Sequence, residues 1–348
     1  MIKKIKHNSV NDFVKTNNLK FEDIKQIFNG FSKNNIMIVG DFILDVYTKC
    51  RALGKTSKTP TISVKKESSE YYLGGAGLFG NILSKAGCKV NLISLFGNEK
   101  NLRKIIQQKK PKKLSIKKIF EKGKPTTSKE RFWVDGYKLL QVDIIDNKFI
   151  SKQTLNKTIS IYKKNLKYVK TIILSDSSHG LMSPNLVKKL IQLAKKNKKL
   201  LIIDCQINSS SGTLKNYSSI DIVFANEHEA RSYLDDYQTD LNKLARKLFV
   251  KLKVKKYLLI KLGANGLILL GKNIFIKFPA LKDINVIDPI GSGDTLLSYF
   301  ALCLNSKISL EKSLFISILA AGYSTTYLGT EAVDPKKILN FAKNIFKN

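Results

Sequence analysis

The sequence predicts an α/β protein: a doubly wound, mostly parallel sheet flanked by helices, with a small second β-sheet acting as a lid. Three observations carry this prediction. Apolar runs of strand length alternate with amphipathic segments of helical period, the pattern of strands buried on both faces. Two further segments, 61–72 and 126–143, alternate with period two, as half-exposed strands do, and the second turns at Asp135-Gly136. Finally, the glycine turn Gly291-Ser292-Gly293-Asp294 sits between an extended run and a long apolar segment, at the kind of strand end where open α/β sheets bind ligands.

Taken in order, residues 1–33 read as an N-terminal helical extension of one or two short helices, and 34–348 as the main domain. Ile36-Met37-Ile38-Val39 begins the domain as a buried strand, followed by lid segments at about 46–72 and 124–143 with a helix over 76–86 between them. Val90 to Leu95, Thr171 to Leu174, Leu200 to Ile203, Ile222 to Phe224 and Tyr257 to Lys261 are the next buried strands. Helical periodicity covers 184–197, 227–234 and 239–253. Ile284-Asn285-Val286-Ile287 reads as a strand leading into the glycine turn, and helices follow at 294–305, 310–327 and 335–346. No second catalytic domain is expected after the last helix.

A chain of 348 residues with 43% hydrophobic content can bury a large core. No apolar run reaches the roughly 18 to 20 residues that span a bilayer, and the basic start lacks the apolar stretch of a signal peptide. Cys50, Cys88, Cys205 and Cys303 lie far apart, without a C-x-x-C pair, which argues against zinc and against a disulfide framework. A cytoplasmic protein with no membrane partner is expected. The net charge of +34 raises nucleic-acid binding, yet only Arg51, Arg103, Arg131, Arg231 and Arg246 are arginines among 61 basic residues. Readers of nucleic acid lean on arginine for bidentate contacts, and lysine runs such as 195–199 fit solvated faces. No specific nucleic-acid partner is expected, while anionic substrates should be attracted.

The glycine turn carries the chemistry. Small residues at Gly291, Ser292 and Gly293 let backbone amides converge on one anion at a helix start, where the dipole favours negative charge. Asp294 would repel phosphate, so its task there is to accept a proton from a hydroxyl attacking phosphorus. The same residues also suit a plain turn with Asp294 as a helix cap. Lys129 and Arg131, two apart on a strand, share a face and suit a clamp on an anionic group, or equally a solvated lid face.

Together with Gly74-Gly75-Ala76, Asn226-Glu227-His228-Glu229 and Lys261-Leu262-Gly263-Ala264-Asn265-Gly266, the turn makes the chain from about Ile36 onward resemble the ribokinase-like (PfkB) carbohydrate kinases. Val39 to Tyr47, Thr127 to Arg131, Leu174-Ser175-Asp176 and Leu328-Gly329-Thr330 resemble most the family's heptose-7-phosphate kinases of lipopolysaccharide precursor synthesis. The resemblance implies a ribokinase-like fold and transfer of a phosphoryl group from ATP, with Mg2+, to a hydroxyl of a sugar or sugar phosphate. It implies Asp294 as general base and the amides of Gly291, Ser292 and Gly293 as stabilisers of the transferred group. Asn226 and Glu229 would order magnesium; the alternative is that Asn226 caps a helix with Glu229 on its exposed face. Gly263 and Gly266 would turn the chain beside the nucleotide, with Lys261 facing a phosphate. Asp288 would shape a nucleotide or monovalent-cation loop, or simply start a turn. Asp45 would accept hydrogen bonds from sugar hydroxyls close to Gly74 and Gly75, and Asp41 is either structural or a second sugar contact. A homodimer through the lid sheet completes the expected partners.

Departures from the family pattern concern the acceptor. Leu78 stands where relatives carry an asparagine that contacts sugar, Lys58 where the heptose-phosphate kinases tend to carry glutamate, and Asp135 and Gln141 where they carry arginine. Ser292 replaces the usual alanine and leaves the backbone free. Three readings stay open: a heptose-7-phosphate-like acceptor, an unphosphorylated sugar or nucleoside as in ribokinase or adenosine kinase, and a binding protein without turnover.

Overall fold

The computed structural model describes residues 3–205 and 213–346. Its elements are β1 (Lys3–Lys6), α1 (Val10–Thr16), α2 (Phe21–Gly30), β2 (Asn35–Gly40), β3 (Phe42–Lys55), β4 (Ile62–Gly75), α3 (Ala76–Lys85), β5 (Lys89–Phe96), α4 (Lys100–Lys109) and β6 (Leu114–Phe120). There follow β7 (Ser128–Val134), β8 (Tyr137–Ile144), α5 (Lys152–Leu166), β9 (Thr171–Asp176), α6 (Pro184–Lys196), β10 (Leu200–Cys205), β11 (Ile222–Asn226), α7 (Glu227–Leu234) and α8 (Leu241–Lys251). The last are β12 (Tyr257–Lys261), β13 (Leu267–Gly271), β14 (Ile274–Phe278), α9 (Ser292–Asn305), α10 (Leu310–Ser324) and α11 (Pro335–Phe346).

Among the described residues, ten strands form one sheet in the order β1-β14-β13-β12-β11-β10-β9-β2-β5-β6. β13 is antiparallel to both neighbours, and all other neighbours are parallel. The expected strands from Ile36 to Lys261 are present in this sheet, because each is apolar on both faces and the two faces meet different cores. Ile36, Ile38, Ile173, Ile202 and Leu259 point into one with α3, α9 and α10; their neighbours Met37, Val39, Ile172, Ile203 and Leu258 point into the other with α5, α6 and α8.

Two sequence expectations are corrected. Residues 1–33 are not purely a helical extension: β1 adds a parallel edge strand, with Ile5 opposite Ile276, and Phe13, Ile24, Phe28 and Phe31 are buried in the same core as α9 and α10. The run Lys3-Lys4-Ile5-Lys6 is too polar to signal a strand; pairing with β14 decides it. Residues 284–287 are not a strand either. Val286 and Ile287 are exposed, and the amides of Ile287 and Asp288 donate to the Thr325 carbonyl at 2.8 and 3.1 Å, pinning a coil to the end of α10. The glycine turn is therefore reached from a loop.

Among the described residues, four strands form a second sheet from the segments expected to make a lid, in the order β4-β3-β7-β8, with the β7–β8 hairpin turning at Asp135 (φ 47°) and Gly136 (φ 85°). Register sets Asp45 opposite Lys129 and Tyr47 opposite Arg131, so one lid face is polar. Among the described residues no helix is long and apolar enough to cross a membrane. Burial pushes the thiols of Cys88 and Cys303 above the usual range.

Candidate functional site

The parallel strands β2, β9, β10, β11 and β12 end on the same side of the sheet, beside the start of α9. Gly291 occupies the cap of α9 with φ 80°, so Asp294 is the third helical residue and not the cap. The Ser292 amide and hydroxyl both return to the Pro289 carbonyl, at 3.2 and 2.7 Å. Among the described residues, the amides of Gly291 and Gly293 take no backbone acceptor. The anion-facing amides are thus narrower than the full turn.

Lys261, at the end of β12, lies against this helix start: a Cβ on Gly293 would come within 3.0 Å of its ammonium nitrogen. Its Nζ is 3.3 Å from Asp204 Oδ1. Burial alone would lower the Lys261 pKa, but Asp204, Glu229 and Asp294 outweigh it and raise it, so the cation persists. Burial pushes Asp294 up to about 7, with Asp204 adding to the rise and Lys261 opposing it. A half-buried carboxylate that titrates near neutrality is suited to accept a proton.

Asn226 and Glu229 form a reciprocal capping box at the start of α7, with the Asn226 amide donating to Glu229 Oε2 at 2.6 Å and the Glu229 amide donating to Asn226 Oδ1 at 2.7 Å. The capping alternative is therefore realised, yet Glu229 is buried and not on an exposed face. Burial raises its pKa, Lys261 pulls against this, and Asp204 reinforces it. Asp204 joins this cluster without having been expected from the sequence, where its one signal is a carboxylate that ends the apolar run 200–203.

Gly263 (φ 57°) and Gly266 (φ 84°) shape the turn between β12 and β13, and a Cβ on Gly266 would collide with the Phe278 carbonyl at 2.1 Å. A cavity of about 490 Å³ opens beside it, lined by Lys261, Gly266, Val286, Gly293 and Ile318 among others. Mostly apolar and ending at the glycine turn, it fits a nucleotide base with its phosphates towards Lys261.

On the lid side, Asp45 is buried and paired with Arg131, whose Nη1 donates to Oδ1 at 2.6 Å. It sits in β3, beyond the end of the first main strand. Any Cβ on Gly74 would lie 2.1 Å from Asp45 Oδ2, which is why glycine stands there. Asp45 is among the charges that raise the Asp294 pKa, behind burial and Asp204. Arg131 also lies over the Tyr47 ring at 5.3 Å, which leaves Lys129 as the half of the expected clamp without an ion pair among the described residues. Leu78 packs near Gly291 and presents no hydrogen bond.

Asp41 and Asp288 are tied to backbone. Asp41 accepts from the amides of Ser177, His179 and Leu181 at 3.0, 3.2 and 3.3 Å. Asp288 accepts from Ile290 and Gly329, at 2.9 and 3.0 Å, joining the glycine turn to the loop after α10.

The family pattern described as pfkB family carbohydrate kinase matches residues 33–337. Bifunctional protein HldE of Campylobacter fetus subsp. fetus is 30% identical over 302 residues, covering 85% of this chain and 64% of that protein. The chain thus spans less than two thirds of that curated relative. Among solved structures, ribokinase of Arabidopsis thaliana complexed with ribose and ATP has a TM-score of 0.69 at 18% identity, covering 89% of this chain and 99% of that one. The tetrameric inhibited form of phosphofructokinase-2 from Escherichia coli has a TM-score of 0.69 at 14% identity, again covering 89% and 99%.

Proposed function

The chain belongs to the pfkB family of carbohydrate kinases, and on that premise we propose that it transfers the terminal phosphoryl group of ATP to a hydroxyl of a heptose-7-phosphate-like sugar phosphate. The observation that carries the reading is that Lys261 lies against the start of α9, which bears Asp294, at the end of an apolar cavity. Asp294 takes the proton of the attacking hydroxyl. Lys261 and the amides of Gly291 and Gly293 stabilise charge on the transferred group. Asp45 holds sugar hydroxyls, and Gly263 and Gly266 border the nucleotide.

Magnesium fits the residues present only as a shared ion. Among the described residues no group of three or more potential ligands stands together, so Asn226 and buried Glu229 would hold it jointly with phosphate oxygens and water. Bound there, it would neutralise charge on the phosphates. At Asp288 each carboxylate oxygen accepts one backbone amide, which accounts for this side chain as a tie between the glycine turn and the loop after α10.

Lys129 and the HldE relative support a phosphorylated acceptor. A second reading, an unphosphorylated sugar, is favoured by one observation: Arg131 is committed to Asp45 and leaves Lys129 alone on that face. ADP release with a panel of heptose 7-phosphate, hexose phosphates and free sugars decides between them. The account expects turnover with the heptose phosphate, impaired by Lys129→Met; turnover with free sugars alone would remove the sugar-phosphate reading. We also propose that two copies pair through the lid, because Leu140, Val142 and Ile144 of its edge strand β8 are exposed apolar residues.

A further inference from the structure

We propose that His179 is a further acceptor-binding residue, its Nε2 accepting a hydrogen bond from a hydroxyl of the sugar and so helping to set specificity. This rests on the kinase reading above. His179 lies in the loop that follows β9, and that loop is built rigidly: Asp41 holds the amides of residues 177, 179 and 181. The ends of β2 and β9 approach so closely that a Cβ on Gly40 would lie 2.1 Å from the Ser175 carbonyl.

His179 as a whole is 6% exposed. Nδ1 is 3.1 Å from Asn147 Oδ1, which assigns the proton to Nδ1 and leaves the lone pair on Nε2. Among the described residues Nε2 is buried and has no partner. A buried acceptor without a donor is costly, which points to a donor arriving with a ligand.

The surroundings say which ligand. Burial holds the imidazole neutral, down to about 4, with Lys129 and Lys124 adding to the effect and Asp143 opposing it. Lys129 pairs in register with Asp45 in the second sheet, and the loop bearing His179 leaves the carboxyl end of β9, held by Asp41 where the chain enters β3, the strand that carries Asp45. Lys124 is occupied by Asp146 at 3.3 Å. A neutral nitrogen with an in-plane lone pair rejects a phosphate oxygen and welcomes a hydroxyl hydrogen. Phosphate on the acceptor belongs to Lys129, and a hydroxyl to His179.

The test compares the unmutated chain with His179→Asn and His179→Gln, measuring ADP release with heptose 7-phosphate, fructose 6-phosphate and ribose. Asparagine keeps a donor towards Asn147 but cannot reach the Nε2 position; glutamine can place its amide oxygen there. The expected result is an acceptor KM raised about tenfold or more by asparagine and largely restored by glutamine, with the ATP KM unchanged. Thermal unfolding confirms that both variants fold. An acceptor KM unmoved by asparagine, or equal losses of kcat in both variants without a KM change, would overturn the assignment. If the unmutated chain phosphorylates none of the three, the kinase reading falls and this assignment with it.

Discussion

Asp294 must be ionised to take a proton, and burial holds its pKa up at about 7, so phosphoryl transfer should weaken as pH falls below about 7. Lys261 is the cation that pulls this value down. Lys261→Met should therefore move the acid limb of the kcat profile to higher pH and lower the affinity for ATP; an unmoved limb would show that the two groups are not coupled. On the acceptor side, Arg131→Met leaves Asp45 buried without its counter-charge. That variant should lose about 3–5 kcal/mol of stability, read from denaturant unfolding, whereas an exposed pair would lose less than about 1. Individual residues were legible where they stood at recognisable strand ends or turns, as with Lys261 at the end of β12 and Asp294 after the glycine turn, whereas Asp45 lies within β3. The pairing of Arg131 with Asp45 was not, because it joins segments 86 residues apart and depends on the β3–β7 register.

Elements were legible when their burial pattern was complete along the chain. The strands from β2 to β12 that the sequence marks are apolar on both faces and need no partner to be recognised. β1 failed that criterion with three lysines in four residues, and the loop 284–287 passed it wrongly because its apolar side chains face solvent near the cavity. The two glycines of the β12–β13 turn separate local strain from steric collision. At Gly263 a Cβ meets open space despite the positive φ, whereas at Gly266 it meets the Phe278 carbonyl at 2.1 Å. Gly263→Ala should cost about 1 kcal/mol, the penalty for a left-handed residue, and Gly266→Ala distinctly more, with loss of ATP binding. Thermal unfolding and nucleotide titration of the two variants check the order; equal effects would contradict it.

At the scale of the whole molecule, one continuous sheet carries two cores, and the N-terminal segment belongs to it through β1 and the buried phenylalanines of α1 and α2. The lid stands apart as a second sheet, polar towards the cleft and apolar along β8. Replacing Leu140 and Val142 by lysine should convert a dimer to a monomer by sedimentation while leaving the unfolding temperature nearly unchanged; an unaltered sedimentation coefficient would remove the lid interface. The architecture was readable because alternation of strands and helices is a property of the whole chain, whereas the acceptor side was readable only at Leu78 and Lys129; the burial and unpaired Nε2 of His179 depend on contacts between distant segments. The central claim is that Asp294 is the base of a phosphoryl transfer. Its most direct test is single-turnover formation of ADP by Asp294→Asn with heptose 7-phosphate, alongside ATP binding: the account predicts transfer slowed by about 10²–10⁴-fold with ATP affinity intact, and transfer at the unmutated rate would contradict it.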